Sequence, residues 1–232
     1  MSRRLSPRAA LGIAAGLAAF TATAVLAFTR NGGADSTALP LAPLATLGDL
    51  RQPPKGARFG PEGVPVPTGP ALAPPQPLAI GTQVDGITCQ VGEQVLFHIH
   101  AHLTIFVRGR PRAVPAGIGI GPPLSIDETP VGAFVAGGSC FAWLHTHSAD
   151  GIIHTESPVN RTYTLGDFFD VWDQPLNRDR VGPARGIVTS LFEGRVFTGS
   201  PRDIPLLAHA QIQLDVGRPL VAPQGIGFPR GL

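Results

Sequence analysis

The segment FHIHAHLTIFV, residues 97–107, alternates along its length. Phe97, Ile99, Ala101, Leu103, Ile105 and Val107 take the odd positions, while His98, His100, His102 and Thr104 take most of the even ones. Successive side chains of a strand point to opposite faces, so a period of two predicts one apolar face and one carrying three imidazoles. RGR at 108–110 then reads as a turn into PRAVP. CFAWLHTH (140–147) and IIHTES (152–157) predict a second hairpin around SADG, whose Asp-Gly pair favours a tight turn. If the loop is 148–151, His145 stands opposite His154; if it is Asp150-Gly151 alone, His147 faces His154 and His145 faces Glu156. The two registers differ by two residues, so either one keeps His145, His147, His154 and Glu156 on a single face.

One helix is predicted after Thr164, which forms a capping-box variant with Asp167. Leu165, Phe168, Phe169 and Trp172 follow at helical spacing until Pro175, and they read as core. GIVTSLF, EGR and VFTG predict a third hairpin. LLAHAQIQLDV alternates with Ala208, Ala210, Ile212, Leu214 and Val216 inward. There is no internal repeat. The expected fold is mainly β, an antiparallel β-sandwich or small barrel with one short helix, occupying residues 80–232.

The pattern upstream differs. Residues Ala9 to Phe28 form an uncharged, largely apolar run preceded by Arg3, Arg4 and Arg8. Twenty such residues span about 30 Å as a helix, the thickness of a hydrocarbon core. Residues 1–30 therefore read as a signal anchor, or as a signal peptide cut near ATA at 22–24. The arginines hold that end in the cytoplasm. The domain is then exported: anchored in the membrane facing outward, or secreted or periplasmic after cleavage. Residues 31–79 contain eleven prolines and read as a semi-extended Pro-rich linker.

Charge and cysteines narrow the picture. The net charge is +2, and 17 of the 18 basic residues are arginines scattered along the chain, which is not the footprint of a nucleic-acid-binding surface. Cys89 and Cys140 are the two cysteines, and in an exported protein they read as one disulfide.

The chemistry lies in the histidines. Six of the seven fall within 98–102 and 145–154. Same-face neighbours on a strand lie about 6.5–7 Å apart, so two imidazoles at i and i+2 can tilt onto one ion at about 2.0–2.1 Å. Positions i and i+4 are about 13 Å apart, so one of His98, His100 and His102 is left for a second ion or for an outward hydrogen bond. Adjacent hairpins would assemble His98, His100, His102, His145, His147 and His154 into one closed site or two open ones. Imidazoles suit Zn(II) or Cu(II); Met1 is the only methionine, which argues against a thioether Cu(I) site. Fe(II) ranks behind these, through a carboxylate from Glu156 or Asp150. The alternatives are a polar strand face for HIHAH, a surface role for His209 and a turn role for Asp150. HTHSAD departs from the H-x-H-x-D-H pattern of metallo-β-lactamases, with its Asp one residue late and no His after it. Neither H-x-H pair has the following Glu that a cupin needs.

DGITCQ, FHIHAHLTIFV, CFAWLHTHSADGIIHTESP and TLGDFFDVWDQPL together resemble a family of exported or membrane-anchored bacterial proteins that pair an HxHxH with an HTHxxxGxIH motif. The resemblance covers roughly 85–232. It implies that the two motifs belong together, and it carries no reaction. Three functions follow in order: an extracytoplasmic metal-binding protein serving metal sequestration or tolerance, with the metal ion and, through an uncleaved N-terminus, the membrane as partners; a metalloenzyme with a three-His metal–water site and Glu156 or Asp150 as general base; and an interaction module without metal.

Overall fold

The computed structural model describes residues 41–42, 51–53 and 55–232. The apolar segment of 1–30 lies outside these residues, and among those described no helix is long and apolar enough to cross a membrane. The largest sheet has eight strands: β1 (Leu41–Ala42), β2 (Phe97–Val107), β3 (Arg110–Arg112), β4 (Leu144–His145), β5 (Ile152–Ser157), β6 (Val188–Phe192), β7 (Arg195–Phe197) and β8 (Gln211–Val216). Their order across the sheet is β1-β7-β6-β8-β2-β5-β4, and β3 also pairs with β2.

The 11-residue β2 is the axis of this sheet. β8 runs parallel to it, from Gln211 opposite His102 to Val216 opposite Val107. The other pairings in the sheet are antiparallel, so the expected antiparallel pattern has this one exception. Among the described residues the sheet does not close on itself, and neither do the four smaller ones, which removes the barrel alternative. The turn of the β2–β3 hairpin needs positive φ at both Arg108 (51°) and Gly109 (73°), the geometry that matches strand twist in a two-residue connection. β6 and β7 form the third predicted hairpin. Ala208, expected inward, is exposed, because β8 starts only at Gln211 and residues 208–209 turn ahead of it.

One face of the sheet is apolar. Ala101, Leu103 and Ile105 of β2, Ile153 of β5 and Ile212, Leu214 and Val216 of β8 join a core with Phe168, Phe169 and Trp172. Those aromatics come from α1 (Leu165–Val171) and its C-cap, and the predicted capping box is formed: Thr164 Oγ1 accepts from Asp167 N, and Asp167 Oδ2 accepts from Thr164 N. Trp172 Nε1 donates to Pro74 O.

The opposite face carries the histidines and is covered by irregular chain. Residues 51–79, expected as part of a semi-extended linker, belong to the same compact unit as the domain. Val64 is fully buried, Leu72 and Ala73 join the main core, and single backbone bonds such as Arg51 N to Pro223 O and Leu72 N to Ala113 O tie the segment down. Proline removes ladder donors, so this composition excludes helix and interior strand; it does not prevent packing one residue at a time. On the same face Gln211, Gln213 and Asp215 hydrogen-bond the backbone of Val221, Gln224 and Ile226, holding the C-terminal segment over β8.

A smaller sheet contains the strands Ile87–Gln90, Cys140–Ala142 and Ile120–Gly121, and the expected Cys89–Cys140 disulfide joins two of them. The bridge closes a separation of 51 residues. Replacing both cysteines by alanine should cost about 4 kcal/mol of stability on chain-entropy grounds, measured by urea unfolding. Equal unfolding midpoints in the variant and the parent would contradict this.

Candidate metal centre

The register of three adjacent strands builds the centre. On β5, His154 stands opposite His100 of β2 on one side and His145 of β4 on the other; Glu156 stands opposite His98. This is the register of the four-residue loop, 148–151, in which Asp150 Oδ1 accepts from Ile152 N and Gly151 has φ +91°. A side chain at Gly151 would meet Leu103 O at 2.4 Å, so the loop can lie against β2 only with glycine there. His147 lies just beyond β4, stacked on Phe134 with ring centroids 4.8 Å apart.

Two sets of four ligand atoms result, each lying within 4.8 Å: His98, His100, His154 and Glu156, and His145, His147, His154 and Glu156. In the first, His98 Nε2 is 3.0 Å from His100 Nε2, His100 Nε2 is 3.1 Å from His154 Nδ1, and Glu156 Oε1 is 3.2 Å from His98 Nε2 and 3.3 Å from His154 Nδ1. In the second, His145 Nε2 is 3.1 Å from His147 Nε2 and 3.9 Å from Glu156 Oε1. Four ligands around tetrahedral Zn(II) at 2.0–2.1 Å stand about 3.3–3.4 Å from one another. The first set is already near that spacing.

The proton positions sharpen this. His145 Nδ1 lies 2.9 Å from Ala142 O, and His147 Nδ1 lies 2.6 Å from Val135 O. A carbonyl only accepts, so both Nδ1 atoms carry protons and donate them. In neutral rings the two Nε2 atoms are then bare lone pairs facing each other at 3.1 Å. Burial, followed by the cationic His154 nearby, holds both rings below the ordinary imidazole range, so neutral is the favoured form. Two converging lone pairs at this distance repel unless a cation sits between them. Backbone-anchored Nδ1–H groups with Nε2 turned inward are how metal-binding histidines are held.

His154 is charged differently. Burial opposes its protonation, but hydrogen bonds to Glu156 and Glu62 overcome it and raise its pKa to about 9. Glu62 Oε1 is 2.7 Å from His154 Nε2. With Nε2–H given to Glu62, Nδ1 is the atom left facing His100 and Glu156. Burial would raise Glu156, but its hydrogen bond to His154 lowers it to about 2. Glu93 Oε1 approaches His147 Nε2 at 3.5 Å from the half-exposed loop before β2.

Two sequence candidates, His102 and Asp150, sit outside the two sets, as does His209, expected at the surface. His102 points along β2 to Asp150 O, 3.0 Å from Nε2, and its Nδ1 is buried without a partner. Asp150 stabilises the loop, with Oδ2 2.5 Å from Ser148 Oγ; burial and then Glu62 raise its pKa to about 7. His209 Nε2 donates to Leu232 O at the surface. Sequence reasoning missed Glu62 and Glu93. The only signal for Glu62 was that it is the sole carboxylate of residues 51–79.

These features define a class: a mainly β domain with buried histidine–glutamate groups that can hold a metal ion. Compared with known proteins, the chain matches no protein-family model, no curated protein and no solved structure.

The pKa shifts set the pH dependence of the protein without metal. His100, lowered to about 3 by burial and then by His154, and His102, lowered to about 4 by burial, cannot take up protons that the unfolded chain binds below 6.5. Stability should therefore fall as pH drops below 6.5. His154 acts in the opposite sense, contributing stability that is lost as pH rises through about 9. The thermal midpoint in chelator should peak between these limits, near neutral pH; a midpoint flat from pH 4 to 9 would contradict the assignment.

Proposed function

We propose that this chain is an exported metal-binding protein whose histidine–glutamate cluster takes up Zn(II) or Cu(II), in a role of sequestration or tolerance. The observation that carries the reading is the His145–His147 pair: two Nδ1–H groups tied to backbone carbonyls and two Nε2 lone pairs converging at 3.1 Å. The donor set agrees with the metal. Neutral imidazoles with one carboxylate suit Zn(II) and Cu(II). Export is supported by the apolar run after Arg8 and by the disulfide, a bond that persists in oxidising compartments.

The partners of the ligands support binding too. The Glu62 carboxylate on His154 Nε2 is the carboxylate–histidine arrangement that orients a metal-bound ring and raises its basicity. The test belongs on the full chain, purified without a histidine tag, since a fragment starting at residue 80 lacks Glu62. Competition with a chromophoric chelator should show tight Zn(II) or Cu(II) binding, and Glu62→Gln should weaken it about 10–100-fold. An affinity unchanged in that variant contradicts the role of Glu62. Failure of the parent chain to bind either ion contradicts the function.

A further inference from the structure

We infer that the cluster holds two divalent cations bridged by the Glu156 carboxylate, one between His145 and His147 and one between His98 and His100. This rests on the metal-binding reading above and extends it from a site to a binuclear centre. The first observation is the pairing of nitrogens. Nε2 atoms face each other at 3.1 Å on the β4 side and at 3.0 Å on the β2 side, with β5 between. The β4-side pair marks a position for a cation through its anchored Nδ1–H groups, and the β2-side pair matches it in spacing.

The second observation is that one position cannot serve both pairs. Ligands on opposite sides of an ion at 2.0–2.1 Å are about 4.2 Å apart at most. Each set of four closes within 4.8 Å by itself, and the six residues together do not. A single ion would leave one pair of facing nitrogens without a cation.

The third observation is Glu156. Its Oε1 lies 3.2 Å from His98 Nε2 and 3.9 Å from His145 Nε2, so the carboxylate stands between the two pairs. Its Oε2 is buried and has no hydrogen-bond partner, although the side chain is only 4% exposed. An unpaired carboxylate oxygen is strongly disfavoured in such a place. Coordination of a second cation satisfies it. Glu156 and Glu62 add two negative charges beside the sites, offsetting half of the charge of two divalent ions.

The two positions differ in access. His145 is fully buried and anchored through Nδ1, whereas His98 is 39% exposed. The β4-side ion is the retained one, and the β2-side ion is the one that exchanges with solvent.

Zn(II) is the probe. The full chain, stripped with chelator and dialysed against zinc chloride, should carry two zinc ions per chain by elemental analysis. His98→Ala with His100→Ala should carry one, and brief chelator treatment of the parent should remove one ion well before the other. One ion in the parent overturns the binuclear centre and leaves the metal-binding reading standing; none overturns both. Because His145 and His147 are buried and their substitution puts folding at risk, the bridge is tested on the parent chain loaded with Cu(II). A half-field paramagnetic resonance line is expected from the coupled pair, and two bound Cu(II) without it overturn the shared carboxylate.

Discussion

The structure depends on one register. β5 lies between β2 and β4 so that His100, His154 and His145 form a row across three strands, with His98 and Glu156 in the next row. Neighbouring strands are about 4.7–4.9 Å apart, which lets imidazoles in one row touch. A slip of one residue in β5 would send His154 and Glu156 into the apolar core and bring Ile153 and Thr155 to the cluster. The other face of the same strands prevents the slip, because Ala101, Leu103 and Ile153 are packed against the core that α1 completes. Burial of the apolar face thus fixes the positions of the polar one.

What surrounds the cluster sets its chemistry. Buried imidazoles in a low-dielectric site resist protonation, and the carbonyls of Ala142 and Val135 select the tautomer that turns Nε2 inward. Glu62 and Glu156 instead hold His154 as a cation in the absence of metal. A metal bound through Nδ1 would have to displace a proton from His154, which would couple uptake to proton release. The irregular segment that brings Glu62 also covers β2 beyond His102, where a cavity of 480 Å³ is lined by Thr104, Phe106 and Ile226.

Much of this was legible in the residues because it followed period and turn chemistry. The alternation of 97–107 gave β2 and its two faces, Asp150-Gly151 gave the hairpin, and Thr164 with Asp167 gave the start of the helix. Placing the two hairpins side by side was an assumption in the sequence and a pairing in the structure. His102 illustrates the limit: it shares a face with His98 and His100, but two further positions along the strand carry it to the loop carbonyl of Asp150. Glu62 was not legible. It reaches His154 across 92 residues from a proline-rich segment with no periodicity, and a long-range contact of that kind leaves no local pattern. The parallel pairing of β8 with β2 was hidden for the same reason.

The central claim is that facing imidazoles and Glu156 enclose metal. X-ray absorption at the zinc edge on the loaded full chain tests it most directly. First-sphere scatterers are expected at about 2.0–2.1 Å, with the outer-shell signature of two or three imidazoles per zinc. A first sphere of oxygen alone, without imidazole scattering, would contradict it.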